Sequence, residues 1–297
     1  MQQKTKAHLA LLFTNIFFAI NYTAVKYLIN HGLVKPFGLN LLRVGISAAL
    51  LWTMFIFKPS KTTIQKKDIG RFFLCALTGI AINQLLFIKG LSLTYSIHAS
   101  LLMLTTPILI TFIAAWLLKE RLNNYKITGL AMGIAGAVVL ITARDSSGNG
   151  SKILYGDFLI ILNAVSYTIY FILVKPLMKD YNPVTVIRMI FTFGCFMILP
   201  FCWTEFTEVP WQSYTLSAYL LLAAIILGGT FLAYLFNVYG IKILGASMAG
   251  TYIYSQPVFA ASIAIIFLGE ALSVYKIIAA IFIFAGVYLA TKTSNNA

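Results

Sequence analysis

Asn15, Tyr22 and Lys26 follow one another at intervals of seven and four residues. On an α-helix that spacing puts an amide, a phenol and an ammonium on one face, inside a stretch otherwise rich in Leu, Ile, Phe and Ala. Similar groups recur in later apolar runs. Asn83 and Gln84 are neighbours, Asn163 and Tyr167 share a helix face, and Tyr234 and Asn237 occupy another run. Thr105, Tyr252 and Gln256 complete the set. None of these carries bond-breaking chemistry. The apolar runs hold no clustered acids, no Ser/Lys or His pair and no HExxH, so no catalytic residue is assigned. Cys75, Cys195 and Cys202 have neither CxxC nor metal-ligand spacing, and no metal or cofactor is expected. Amides and phenols hydrogen-bond and stack, which is the chemistry of reversible recognition. As a set they read as a mixed aromatic and amide cavity for a small amphipathic solute. The other reading is interhelical hydrogen bonding, because an Asn or Gln in lipid needs a partner. Residue by residue, both stay open.

The charges within apolar runs divide in the same way. Lys26 and Lys175 either snorkel, with the stem buried and the amine at the headgroups, or face a cavity. Lys26 is placed with the substrate-contacting residues, as a cation for a single carboxylate near the outer mouth. Arg43 and Arg188 read as interfacial anchors. His98 falls near the outer end of the fourth predicted span, and Asp157 at the outer end of the sixth. No Asp or Glu falls deep in a span, so exchange or export without proton coupling is expected. Glu120 and Glu270 read as caps of the following helices or as ion-pair partners. Pro107 and Pro257 read as mid-helix kinks.

The elements that must position these groups are long hydrophobic helices. The 297 residues are 60% hydrophobic and 10% charged, with mean hydropathy +0.88. A soluble domain of this size needs far more charge. About 20 apolar residues cross a hydrocarbon core of about 30 Å, and the chain supplies ten such runs. They cover 8–30, 37–57, 70–91, 97–118, 126–142, 156–178, 183–203, 214–238, 246–268 and 274–292. The fold class is therefore all-α, a polytopic membrane protein. The first run extends to about Asn30, too long for the core of a signal peptide.

The net charge of +14 does not indicate nucleic acid, because the basic residues sit in breaks between apolar runs. With the N-terminus inside, thirteen Lys and Arg fall in inner segments and four in outer ones (Lys35, Arg144, Lys152 and Lys276). That bias places both termini in the cytoplasm, with a bacterial inner membrane as the expected location.

The chain also repeats itself. A shift of 150 residues superposes Gly79 on Gly229, Gly90 on Gly240, Pro107 on Pro257, Glu120 on Glu270 and Tyr125-Lys126-Ile127 on Tyr275-Lys276-Ile277. A shift of 149 brings Val25-Lys26 onto Val174-Lys175. Two five-helix units result, 1–146 and 152–297. Five is odd, so the second unit enters the membrane from the opposite side. Inverted repeats are a transporter architecture, with substrate sites near the midplane.

Pro107 followed by Glu120-Arg121-Leu122 and Gly129, and Pro257 followed by Glu270-Ala271-Leu272, resemble the drug/metabolite transporter superfamily, most closely its EamA-like ten-helix group. Lys26 at the end of an aromatic first helix and Arg43 in the second fit the same pattern. Asn21-Tyr22 stands where that family often has Trp-Gly, and Ala271 replaces the arginine of the first repeat. The resemblance implies a basket whose helices 1, 3, 4, 6, 8 and 9 line a central cavity, with 5 and 10 supporting it.

The function expected is secondary transport, in the export direction, of small organic metabolites such as amino acids. A passive channel is the alternative, and an intramembrane enzyme the more distant one. The expected partners are a small-molecule substrate and membrane lipid, not nucleic acid, and the chain is expected to act as a monomer. A reporter fused after Ala297 should read as cytoplasmic; an external reading would refute the ten-helix count or the charge argument.

Overall fold

The computed structural model describes residues 2–57, 64–118, 124–142 and 150–291. Among them every regular element is helical. Ten helical spans cross the molecule: α1 Gln2–Asn30, α2 Pro36–Phe57 and α3 Lys66–Leu93, then α4 in two pieces, Ser96–Met103 and Thr105–Leu118. They continue with α5 Asn124–Thr142, α6 Gly150–Asp180, α7 Pro183–Thr207 and α8 Leu216–Leu244. Next is α9, again in pieces, Ala246–Tyr252 and Gln256–Leu268 about a 3₁₀ turn, and last α10 Val274–Thr291. Seven helices are long and apolar enough to span by themselves, and the apolar stretches Ser96–Ile110, Ile127–Leu140 and Val274–Leu289 belong to the other three.

The helix starts follow local chemistry. Pro36 opens α2, where a missing N–H costs nothing. Asn182 caps α7 by accepting from the Val184 N–H at 3.1 Å, and Thr215 caps α8 by accepting from Ala218 at 3.3 Å. The spans agree with the sequence reading at most ends. The largest departures are α1 and α6, which begin at Gln2 and Gly150 rather than near residues 8 and 156, and α8, which runs on to Leu244 rather than 238. Hydropathy marks the apolar run, whereas the helical backbone carries on into the polar residues beyond it.

The two halves interlock. α1 packs on α8 and α3 on α6, so the first helix of each half lies against the third of the other. α2 pairs with its counterpart α7, and α5 with α10. The close approaches repeat with the sequence shift. A Cβ on Gly79 would sit 2.5 Å from the Tyr170 ring, and one on the matched Gly229 would sit 2.6 Å from Asn21 Oδ1. Gly90 rests against Gly156 and Ile160, while its match Gly240 rests against Leu11. Asn21 and Tyr170, like Leu11 and Ile160, are themselves 149 residues apart, so the same contact is made twice with the halves exchanged. Both third helices also loosen into a π-helical stretch around these glycines, at Leu77–Ala81 in α3 and Ala224–Leu232 in α8.

Gly129 and Gly133 meet Gly286 of α10, so this small-residue pair serves packing within the chain. Large apolar side chains such as Phe13, Ile20, Phe196, Phe201, Ile266 and Phe282 are exposed around the outside, as a lipid-facing belt requires.

Two sequence expectations need correction here. Pro107 and Pro257 do not kink continuous helices. Each lies within the first three residues of a new helical piece, after a break at 103–105 or 253–255. The broken turns are closed by hydroxyls at matched positions: Thr105 Oγ1 donates to the Leu102 carbonyl at 2.7 Å and Ser255 Oγ to that of Tyr252 at 2.8 Å. Glu270 does not cap the following helix; it caps α4, as described below. Glu120, Arg121 and Leu122 lie outside the described residues.

The glycine contacts yield a test. Gly90→Ala places a methyl 2.9 Å from the Gly156 carbonyl oxygen, a backbone atom that cannot swing away. It should cost about 1–3 kcal/mol by overpacking and lower the melting temperature in detergent. Gly45→Ala, whose methyl meets Cys195 Sγ at 3.9 Å, should leave it unchanged. Equal melting of the two variants would refute close α3–α6 packing.

Candidate functional site

Helices from both halves surround a buried central cavity. It is lined by Phe18, Asn21 and Tyr22 of α1, Arg43 of α2, Asn83, Gln84 and Phe87 of α3, and Met103 of α4. The second half supplies Asn163 and Tyr167 of α6, Tyr234 of α8, and Ile253 and Gln256 of α9. At its centre Gln84 Nε2 donates to the Tyr234 hydroxyl at 2.5 Å. These two residues are 150 apart and therefore counterparts, so the pseudo-twofold axis passes through their hydrogen bond.

Around this bond the amides are tied to specific partners. Asn83 and Asn163 exchange bonds, each Nδ2 donating to the other's backbone carbonyl, at 3.3 and 2.7 Å. Gln256 Nε2 donates to Asn15 Oδ1 at 2.6 Å, and its Oε1 lies 3.5 Å from the Tyr22 hydroxyl. Asn237 Nδ2 donates to the Tyr167 hydroxyl at 2.8 Å. The aromatic rings pack edge to face, Tyr22 on Phe87 at 5.4 Å and Phe191 on Tyr234 at 5.1 Å. Other polar atoms are buried without a hydrogen-bond partner among the described residues. Four of them belong to the lining: Asn21 Oδ1, Arg43 Nη1, Gln84 Oε1 and Asn163 Oδ1.

Of the residues singled out by sequence, Tyr22, Asn83, Gln84, Asn163, Tyr167, Tyr234 and Gln256 come together on this cavity. Asn15 and Asn237 line a smaller adjoining space, with Thr14, Tyr167 and Gln256, toward the end of the bundle that holds the N-terminus. Tyr252 lies further along the same route, its hydroxyl 2.7 Å from His8 Nδ1. Thr105 is elsewhere, on an apolar pocket of about 250 Å³ between α4, α5 and α6 whose rim residues Ile134 and Val138 are exposed.

Lys26 is also apart from the centre. Its ammonium donates to the Leu91 carbonyl at 3.2 Å and to the Thr94 carbonyl, capping the C-terminal end of α3, where the helix dipole favours a cation. The same turn is held from two further sides. Glu270 accepts from the Ser96 and Ile97 N–H groups at 2.8 and 3.0 Å, at the start of α4. Asp157 of α6 accepts from the Thr94 hydroxyl and lies 3.0 Å from His98 Nδ1. Lys26, Asp157 and Glu270 thus clamp residues 94–98 at the end of the bundle opposite the N-terminus.

At the other end the corresponding lysine, Lys175, is exposed, and the described cross-half contacts include the His8–Tyr252 bond and those of the Tyr181 hydroxyl, which donates to Asp68 at 2.7 Å and accepts from the Gln65 N–H at 3.1 Å. At the surface, Glu205 caps the start of α2 by accepting from Phe37 and Gly38 at 2.6 and 3.2 Å. Beside it Glu208 pairs with Lys35 at 2.5 Å and pushes that ammonium's pKa up.

Asp157 lies at the outer end, as expected, and is fully buried there, as is His98 beside it. Arg43, expected as an interfacial anchor, is 2% exposed and reaches the cavity. Its Nε donates at 2.9 Å to Thr230 Oγ1, in the middle residue of α8. Its apparent counterpart Arg188 is buried too, with its guanidinium over the Trp52 and Phe55 rings at 4.7 and 3.6 Å. Asn21, which stands where the family often has tryptophan, was also missed.

The sequence profile of the EamA-like transporter family matches residues 5–142 and again 154–292. A protein of Archaeoglobus fulgidus named an uncharacterized transporter is 26% identical over 288 residues, 97% of this chain and 98% of its own length. A Clostridium kluyveri protein of the same description is 24% identical and spans 98% and 96% of the two chains. A probable terminal-alkyne amino-acid exporter of Streptantibioticus cattleyicolor is 26% identical over 201 residues, 66% of this chain and 64% of its own. A crystal structure at 20% identity superposes with a TM-score of 0.65 over 97% of both chains, a likeness of fold alone.

The clamp predicts a graded response. Asp157→Ala removes the acceptor for both Thr94 and His98 and should cost about 1–3 kcal/mol. Asp157→Asn keeps an acceptor and should cost less. Thermal melting of the purified variants reads the order; melting of Asp157→Ala at the wild-type temperature would show that the clamp holds nothing.

Proposed function

This chain belongs to the EamA-like transporter family, and from that premise we propose that it is a secondary transporter of small organic metabolites, working as an exporter by alternating access at the central cavity. The observation that carries the reading is that cavity's construction. Matched helices of both halves contribute to it, and its axis is the Gln84–Tyr234 bond. The cavity volume is about 50 Å³, well below the roughly 300–1,000 Å³ of a small-molecule site. At that volume the cavity must widen before it admits a solute of amino-acid size.

The two ends are unequal. The end opposite the N-terminus is clamped from α1, α6 and the segment before α10, while a polar route through Asn15 and Asn237 leads toward the N-terminal end. With the termini in the cytoplasm, as the charge bias supports, the solute is loaded from inside. The aromatic and amide lining suits an amphipathic solute of amino-acid size, and the amino-acid exporter among the relatives is consistent with that class. The chain is proposed to function as a monomer in a bacterial inner membrane.

Saturable counterflow in proteoliposomes is the test. A carrier accumulates labelled solute against an excess of unlabelled solute on the far side; a channel does not. Gln84→Leu and Gln256→Leu should each lower the counterflow rate about tenfold while melting changes little, since a hydrogen bond between membrane helices is worth about 0.6 kcal/mol on average. Normal rates in both variants, with the loss following substitutions in α5 and α10 instead, would move the site away from this cavity.

A further inference from the structure

We propose that Arg43 is the anchor for a substrate carboxylate, and that the cavity selects a small solute carrying one carboxylate together with a nearby ammonium or hydroxyl donor. The inference rests on the reading of the central cavity as the transport site and adds the charge that this site requires.

Arg43 is buried and tied through Nε to a neutral hydroxyl, that of Thr230, which is itself bonded to the Ile225 carbonyl at 3.1 Å. Its Nη1 is buried without a hydrogen-bond partner. Among the described residues no Asp or Glu lines the cavity, and Arg43 is the only Lys or Arg in its lining. A guanidinium held in a dry site with no counter-ion is costly unless a ligand brings one. Its planar fork matches a carboxylate through parallel hydrogen bonds. Lys26 does not compete for that role, because its ammonium is engaged at the Leu91 and Thr94 carbonyls.

The other open atoms are of the opposite kind. Gln84 Oε1 and Asn163 Oδ1 are acceptors without partners among the described residues, and they suit an N–H or O–H donor on the same solute. A bare amine would set two cations together in the cavity. A phosphate dianion would leave one charge unmatched. An α-amino or α-hydroxy carboxylate satisfies the guanidinium and the amide oxygens together.

The experiment uses the full chain, purified in detergent and in proteoliposomes. The probes are L-leucine and L-phenylalanine, each with its α-hydroxy acid, its amide and its decarboxylated amine. Thermal protection and competition in counterflow are the readouts. The acids should bind at least about tenfold more tightly than the matching amides and amines. The amino and hydroxy acids distinguish which donor the amide oxygens prefer. Arg43→Gln should abolish the preference for acids, and Arg43→Lys should restore part of it as a point charge.

The wild-type ligand series decides the matter even if a variant fails to fold. Counterflow of amides or amines at rates equal to or above those of the acids would overturn the anchor while leaving the transport site standing. So would a full preference for acids in Arg43→Gln. Absence of counterflow and of protection with every probe would overturn the transport site, and the anchor with it.

Discussion

A five-helix unit in a bilayer ends on the side opposite to the one where it began, so a second copy joined in tandem must run inverted. The rest of the structure depends on this constraint. The inverted copy cannot pack beside the first as a translated domain would. Instead each copy's first helix meets the other's third, α1 on α8 and α6 on α3. The matched glycines at 79 and 229, and at 90 and 240, are the places where those helices come closest. Helices that meet their own counterparts, α2 with α7 and α5 with α10, straddle the axis. The cavity lies where the axis crosses the bundle, and Gln84 and Tyr234 are bonded to each other because they are the same position twice.

The repeats agree in backbone and differ in side chains, and function resides in the differences. Glutamine faces tyrosine at the axis. Asn21 of α1 corresponds to Tyr170 of α6, and Lys26 is engaged where Lys175 is exposed. A lipid surround makes such polar groups costly to leave open, so most are tied to a partner in the other half. Some of those left open, on Asn21, Arg43, Gln84 and Asn163, belong to residues of the cavity lining. At the clamped end three ionisable residues, Lys26, Asp157 and Glu270, hold one turn of backbone by satisfying its carbonyl, hydroxyl and N–H groups. Their charges are absorbed by a broken helix rather than offered to a solute.

By itself the sequence determined the class of molecule and its plan. Runs of about 20 apolar residues can be satisfied in lipid only as helices, and an ungapped recurrence of Pro, Gly and Tyr at 150 residues can arise only from a repeat. Seven of the twelve residues chosen from polarity and helical phase line the cavity, because an amide or phenol in a membrane helix turns inward to find a partner. Periodicity gives a residue's face but not its depth or its neighbour across the bundle. For that reason Lys26 and Asp157 were not seen as clamps on one turn, Thr105 was not separated from the centre, and Arg43 was taken for an anchor. Each of these depends on which helix lies opposite, at separations of 59 to 187 residues along the chain. Only the folded arrangement decides that. Arg43 and Tyr234, 191 residues apart, share the cavity wall, and the second repeat's arginine, Arg188, lies instead over the Trp52 and Phe55 rings.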